Sequence, residues 1–487
     1  MTETLPEIHT GLFIAGERQD AAESFAVHDP ADPEVVVGYA GAASDEQSRA
    51  AVAAAHDAFP AWAALDAHDR AARVKASLGA LAADNDERVE LLSRENGKVR
   101  SECEIEMHVI EARFELAAGL ADVVAGVREL PAPPYRTQVM HLPLGVVSLI
   151  VPFNWPLAIL AASLPHALVA GNTVVVKAPP TTPLSFVRTI ALIAAELPPG
   201  VLNVVSGHDA TLGPVLVQDP RVRKVGFTGS VGAGKRIMAM CADNLTRVLL
   251  ELGGNDPALV LEDAVIDEEA IGKLYLGAFL TTGQVCMAMK RLYVHRSHYD
   301  AVVEGLSGAV GAQKIGPGLH ADATMGPLNS AQQRDYVKGL LDEVRADAEV
   351  RELAEPIDEH AFARGQFMRP SLVLDPRPDA RIVTEEQFGP TLPIIPFEDE
   401  ESAVAAANDT WSGLCSSVWS SDAEHAGRVG ARLRTGFTFV NAHNAPFLDE
   451  RAPFGGFNQS GMGREMGEEG ILGFTDTHSV SFPENLF

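Results

Sequence analysis

Runs of β-branched and apolar residues alternate with helical patterns along most of the chain, and that alternation sets the expected fold. Residues 1–40 read as short strands and turns, with 11–17 forming a small hairpin. Spaced alanines and apolar positions predict a helix from Ser44 to Leu65, two more over 67–84 and 85–95, and a long amphipathic helix over 100–126. Strand and helix then alternate: strand 145–151, helix 157–169, strand 173–177, helix 185–197, strand 201–205, and strand 224–228 after a short helix. Near-continuous apolar strands separated by helices of this length indicate an α/β fold with a parallel sheet covered on both faces. Such sheets bind ligands beyond the carboxyl ends of their strands. A second α/β unit begins near residue 252, with strand 257–261, helix 267–281 and strand 291–295. Further on, 331–353 reads as an exposed helix, 355–365 as a polar loop, and 455–463 as an irregular glycine-rich loop. The tail 475–482 alternates as a strand does; a terminal strand that finishes no hairpin is a candidate for pairing with another subunit.

Composition narrows this picture. The chain has 487 residues, 46% hydrophobic and 21% charged, which fits an ordinary globular protein of more than one domain. A net charge of −28 argues against nucleic acid and anionic membrane surfaces as partners, and any phosphate site must be local. Four widely spaced cysteines, Cys103, Cys241, Cys286 and Cys415, suit free thiols in a reducing compartment and give no metal-ligand spacing. The acidic N-terminus lacks the apolar core of a signal peptide, so a cytoplasmic location is expected. Residues 142–176 carry no Asp, Glu, Lys or Arg, yet Pro143, Pro152, Pro156 and Pro165 interrupt them. Buried strands and a core helix fit that stretch better than a membrane span.

Four local patterns carry candidate chemistry. Cys286 lies between Gly283 and the pair Met287 and Met289, with no carboxylate nearby in sequence: a nucleophilic thiolate on one reading, a small buried hydrophobe on the other. Glu251 ends the apolar run 248–250 and precedes Gly253 and Gly254, as a placed base would. Gly229, Ser230 and Gly234 sit at a strand-to-helix junction that suits a phosphate or a simple tight turn, and Lys177 ends another strand of the same sheet. Asn154, flanked by Phe153 and Trp155 and by two prolines, is either a structural amide or an oxyanion donor.

Taken together, the motifs 152–156, 171–177, 227–230, 251–254, 283–286, 385–390 and 453–456 occur in an order and spacing that resembles the NAD(P)-dependent aldehyde dehydrogenase superfamily over essentially the whole chain. The resemblance is to the hydrolytic branch, not the CoA-acylating one, which usually lacks a glutamate at the position of Glu251. It implies a Rossmann-like cofactor domain (1–122 and 144–252), an α/β catalytic domain (253–453) and a small oligomerisation arm (123–143 and 471–487) that packs subunits as homodimers or homotetramers.

Position by position, the family's nucleophile matches Cys286, its general base Glu251, and its oxyanion donor Asn154 with the backbone N–H of Cys286. The adenosine ribose is expected near Lys177, the pyrophosphate near Ser230, and the nicotinamide ribose near Glu386, with Phe388 beside the ring. Gly207, Gly229, Gly234 and Trp155 complete the expected cofactor site. The substrate tunnel is expected at Trp155, Ile159, Met287, Phe447 and Leu448, which suits an apolar or aromatic aldehyde. Only Arg451 offers a cation for a semialdehyde's carboxylate, and Asp449 and Glu450 face either the tunnel or solvent. The implied reaction passes through a cysteine thiohemiacetal and thioester, with hydride transfer to NAD or NADP. Two departures matter. Pro180 stands where NAD-preferring members often carry a ribose-binding glutamate, which opens NADP use, although no added cation at 178–181 supports it and NAD stays favoured. Ser163 stands where many members carry a lysine, which removes a proton-relay group. A semialdehyde dehydrogenase and a non-catalytic protein on the same fold are the alternatives.

Overall fold

The computed structural model describes residues 8–132 and 135–483. Its first sheet has eight strands, in the order Gly461–Met462, Arg247–Glu251, Val222–Thr228, Val146–Ile150, Thr173–Lys177, Leu202–Val205, Leu12–Ile14 and Glu17–Gln19. The five strands from Arg247–Glu251 to Leu202–Val205 are parallel. Val146–Ile150, Thr173–Lys177 and Leu202–Val205 are buried throughout, as strands covered on both faces must be. The covering helices include Pro156–Val169 and Pro183–Ala195, each begun by a proline, whose missing N–H costs nothing in a first turn. The uncharged stretch 142–176 thus becomes strand, core helix and strand, and no helix among the described residues is long and apolar enough to cross a membrane.

A second sheet follows residue 252: Glu349–Glu352, Ser371–Leu374, Thr391–Phe397, Met289–His295, Asp256–Val260, Cys415–Trp419 and Phe437–Val440, parallel except for the first. A third, antiparallel sheet joins Val127–Ala132, Tyr135–Pro143 and Thr475–Pro483.

Several expectations need correction. The tail strand does finish an antiparallel pair, along its full length, with Tyr135–Pro143 of its own chain, and it forms the outer edge of that sheet. The helix expected over 100–126 breaks into Arg100–Ala118 and Ala121–Ala125, with Gly119 capping the first piece. Cys103 is buried in the first of these, as packing requires. The helix expected over 67–84 ends at Ala76 and continues as two short 3-10 turns. The helix expected over 331–353 stops at Val344. Its Val337, Leu340, Leu341 and Val344 are buried, and Glu349–Glu352 is an edge strand. Within 355–365 lie a two-residue strand and the helix Glu359–Arg364, whose first N–H groups are accepted by the Asp358 carboxylate.

Candidate active site

The carboxyl ends of the first sheet's strands open into a cavity of about 920 Å3. Its wall includes Asn154, Ile159, Lys177, Ser230, Cys286, Glu386 and Phe388.

Cys286 arrives there on an unusual loop. The helix Glu268–Phe279 is followed by three residues with left-handed backbone, Thr281 (φ 53°), Thr282 (φ 55°) and Gly283 (φ 73°). For threonine that conformation costs about 1–2 kcal/mol per residue. Surrounding bonds hold it in place. The Thr281 N–H donates to Glu102 Oε1 (2.6 Å), the Trp155 indole N–H to Thr281 Oγ1 (2.9 Å), and the Thr282 hydroxyl to the Gly326 carbonyl (3.0 Å). Buried Lys290 donates to the carbonyls of Gly283 and Val285, each at 3.0 Å. The thiol is therefore fixed by its neighbours on both sides.

Burial first, and then the charges of Glu251, Glu386 and Asp256, push the Cys286 thiol up to about 12, while Lys290 pulls the other way. At neutral pH the thiol keeps its proton until a base or a bound cation intervenes. Glu251 stands at the end of its strand, 4% exposed, with neither carboxylate oxygen hydrogen-bonded. Burial raises its pKa well above the carboxylate range and the charge of Glu465 raises it further, against the pull of Arg464. Glu465 is itself buried and accepts a hydrogen bond from Ser163 (2.6 Å). The serine in the lysine's place thus braces a second carboxylate beside Glu251. Asn154 donates to the Gln284 carbonyl (2.9 Å), and the same amide nitrogen carries a second N–H.

At the other end, Ser230 caps the helix Val231–Cys241, accepting from the Ala233 N–H at 3.3 Å. Lys177, 1% exposed, donates to the Ala178 carbonyl (3.1 Å) and pairs with Asp209. Back on the Cys286 side, where its charge acts on the thiol, Glu386 accepts from the Gly254 N–H (3.2 Å), and a Cβ on Gly253 would sit 3.0 Å from the Glu386 carboxyl carbon, so that approach needs glycine. Phe388 turns its ring edge-on to Phe153, with centroids 6.2 Å apart, and the Lys290 ammonium lies 5.3 Å away. A long cavity with a helix N-terminus, a buried ammonium and a carboxylate along it fits a nicotinamide dinucleotide. Lys177, Ser230 and Glu386 would hold it.

Not every candidate lines this cavity. Glu251, Gly207 and Gly234 lie off its wall. A Cβ on Gly207 would meet Leu212 at 2.9 Å and one on Gly234 would meet Leu252 at 2.6 Å, so both permit close packing. Trp155, Met287, Phe447 and Leu448 also lie off the wall, but they pack with Ile159 and Cys286 in one apolar cluster. Arg451 points away to solvent: its side chain is 78% exposed and paired with Asp449 at 2.8 Å. Glu450 pairs with Arg113 at 2.9 Å, and Arg113 also donates to the Ala158 carbonyl. Sequence reasoning missed Asp209, Lys290 and Glu465. A lysine between Met289 and Arg291 inside an apolar strand was a usable signal, whereas an aspartate and a glutamate among many gave none.

The sequence model of the family described as "Aldehyde dehydrogenase family" matches residues 17–480. Similar proteins include geranial dehydrogenase of Castellaniella defragrans, 37% identical with 92% of this chain and 94% of that protein covered. Another is the NADP(+) succinate-semialdehyde dehydrogenase of Escherichia coli, 35% identical with 94% of each covered. Among solved structures, betaine aldehyde dehydrogenase of Staphylococcus aureus in complex with NAD+ superposes with a TM-score of 0.91 at 30% identity, covering 98% of this chain and 95% of that one.

Proposed function

We propose that this chain, which belongs to the aldehyde dehydrogenase family, oxidises apolar aldehydes to carboxylic acids with water as the acyl acceptor. The observation that carries the hydrolytic reading is Glu251. A buried carboxylate with both oxygens unpartnered is costly to keep for structure alone, and its charge is among those that push the Cys286 thiol up.

The residues then take these roles. Cys286 Sγ adds to the aldehyde carbon as its proton leaves toward Glu251 or solvent. The alkoxide that forms is stabilised by the free N–H of Asn154 and the backbone N–H of Cys286. A nicotinamide cofactor held by Lys177, Ser230 and Glu386 would supply the hydride acceptor, and the acyl group would then remain on Cys286 as a thioester. Glu251 then removes a proton from an attacking water; the acid departs and the thiol is restored. The products are one acid, one reduced cofactor and one proton.

The substrate reading rests on the cluster around Cys286. Trp155, Ile159, Met287, Phe447 and Leu448 are joined there by Phe437, Phe439 and Phe454. Arg451 is paired with Asp449 and Arg113 with Glu450, so each already has a carboxylate partner. A distal carboxylate entering such a tunnel loses hydration worth several kcal/mol unless a cation compensates. Each buried methylene gains about 0.8 kcal/mol. A few such groups give discrimination of roughly tens to hundreds. The test is kcat/KM for hexanal and benzaldehyde against succinate semialdehyde, with and without CoA. A semialdehyde favoured by about tenfold or more would overturn the apolar tunnel, and a rate that requires CoA would overturn water as acceptor.

We assign 1–122 and 144–252 to cofactor binding, 253–453 to the catalytic domain, and 123–143 with 471–487 to an oligomerisation arm. The two large sheets and the separate three-stranded sheet support that division. The arm's exposed Val127, Leu130, Tyr135 and Leu142 support a homodimer or homotetramer. Four free cysteines support a cytoplasmic site of action.

A further inference from the structure

The end of the cavity remote from Cys286 is shaped by one ion pair. Lys177 closes the strand Thr173–Lys177 with its ammonium almost wholly enclosed, and a buried ammonium needs an anion beside it. That anion is Asp209, the first residue of the helix Asp209–Gln218. Its side chain is 74% exposed and lines the same cavity, so one face of the carboxylate meets Lys177 while the rest looks into the ligand space. Among the described lining residues, Asp209 and Glu386 are the acids, and Lys177 and Arg236 the cations. Glu386 is held at the other end by the Gly254 N–H. Pro179, Pro180 and Thr181 form the neighbouring wall and bring neither acid nor cation.

We propose that Asp209 accepts hydrogen bonds from the adenosine ribose hydroxyls of the dinucleotide and makes NAD the preferred cofactor over NADP. The inference rests on the reading of this cavity as the nicotinamide dinucleotide site and adds the residue that chooses between its two forms. An ionised carboxylate is an acceptor with no proton to give, which matches a vicinal diol that has two to donate. A 2′-phosphate removes one of those donors and places a second anion against the first, so one aspartate both favours the diol and opposes the phosphate. Lys177 cannot offset this, because Asp209 already meets its charge. Taking away the charge of Asp209 reverses both effects: the diol loses an acceptor, and the Lys177 ammonium is released toward a phosphate.

The test is equilibrium binding of NAD+ and of NADP+ to the full chain by titration calorimetry at one fixed salt concentration, with no aldehyde present. Wild type should bind NAD+ at least about tenfold more tightly than NADP+. In Asp209→Asn that ratio should shrink by about tenfold or more, with part of the change appearing as tighter NADP+ binding. Asp209→Glu should keep the wild-type order, and thermal unfolding of each variant establishes that it is folded. Equal or tighter binding of NADP+ by wild type would overturn the proposal. So would an Asp209→Asn protein that binds NAD+ and retains the wild-type ratio; in that case only the assignment of Asp209 falls. Failure of wild type to bind either nucleotide would overturn the dinucleotide site itself and this proposal with it.

Discussion

Replacing Gly283 with alanine tests whether the loop before Cys286 works by fixed geometry. Gly283 has φ 73°, and a Cβ there would lie 2.6 Å from the carbonyl carbon of Gly389 and nearer still to its oxygen. Ordinary contact begins near 3.4 Å, so one backbone must move by about 1 Å. The left-handed conformation adds about 1–2 kcal/mol for alanine, and the overlap about 1–3 kcal/mol more. Stability should therefore fall by roughly 2–5 kcal/mol. Glu102, Trp155 and Lys290 hold the loop on either side, so the displacement passes to Cys286 instead of being absorbed. A misplacement of about 1 Å costs on the order of 10²-fold in rate. Stopped-flow formation of reduced cofactor with hexanal reads the first turnover directly, and urea denaturation reads the stability. Gly308→Ala is the control: nothing lies within 4 Å of its Cβ, and the position is inside the helix Tyr299–Gly311. It should keep the rate and gain about 0.5–1 kcal/mol. A folded Gly283→Ala protein whose first turnover stays within about threefold of wild type would refute the reasoning.

Other outcomes follow from the same site. Cys286→Ala should lower aldehyde oxidation by at least about 10³-fold while calorimetric cofactor affinity stays within about twofold, and a tenth of the wild-type rate would remove the nucleophile assignment. Glu102 gives a pH-dependent signal: burial raises its carboxyl to about 7 despite the Thr281 N–H it accepts. The folded state then binds its proton more tightly than the unfolded chain does. Its stabilising contribution is fully present below the unfolded value of 4.5 and is lost as pH rises through about 7. The stability of wild type minus that of Glu102→Gln, from urea denaturation, should therefore shrink between pH 5 and pH 8, and a difference that grows would contradict it.

Much of this arrangement was legible in the chain. Short β-branched runs such as Thr173–Lys177 and Val146–Ile150, alternating with helical patterns, read as strands covered on both faces, so the parallel sheet and its binding edge followed from pattern. Local punctuation was read less well. The 331–353 segment carries helical spacing in its first half, but the alternation of Glu349 to Glu352 was too short to stand against it, and pairing with Ser371–Leu374 decides the strand. Side-chain partners at long range were not legible at all. Nothing near Lys177 in sequence announces Asp209, and nothing near Ser163 announces Glu465, because each pair is made by folding. Arg451 shows the converse: its neighbour Asp449, two residues away, already occupied it.

The central claim is that Cys286 carries the acyl group and Glu251 brings the water that releases it. It is tested most directly in Glu251→Gln, mixed with NAD+ and hexanal, quenched in acid and analysed by peptide mass spectrometry. The account predicts a burst of one reduced cofactor per active site, slow turnover afterwards, and one hexanoyl group on the peptide that bears Cys286. A burst with no adduct there, an adduct on Cys103, Cys241 or Cys415 instead, or a steady rate equal to wild type would contradict it.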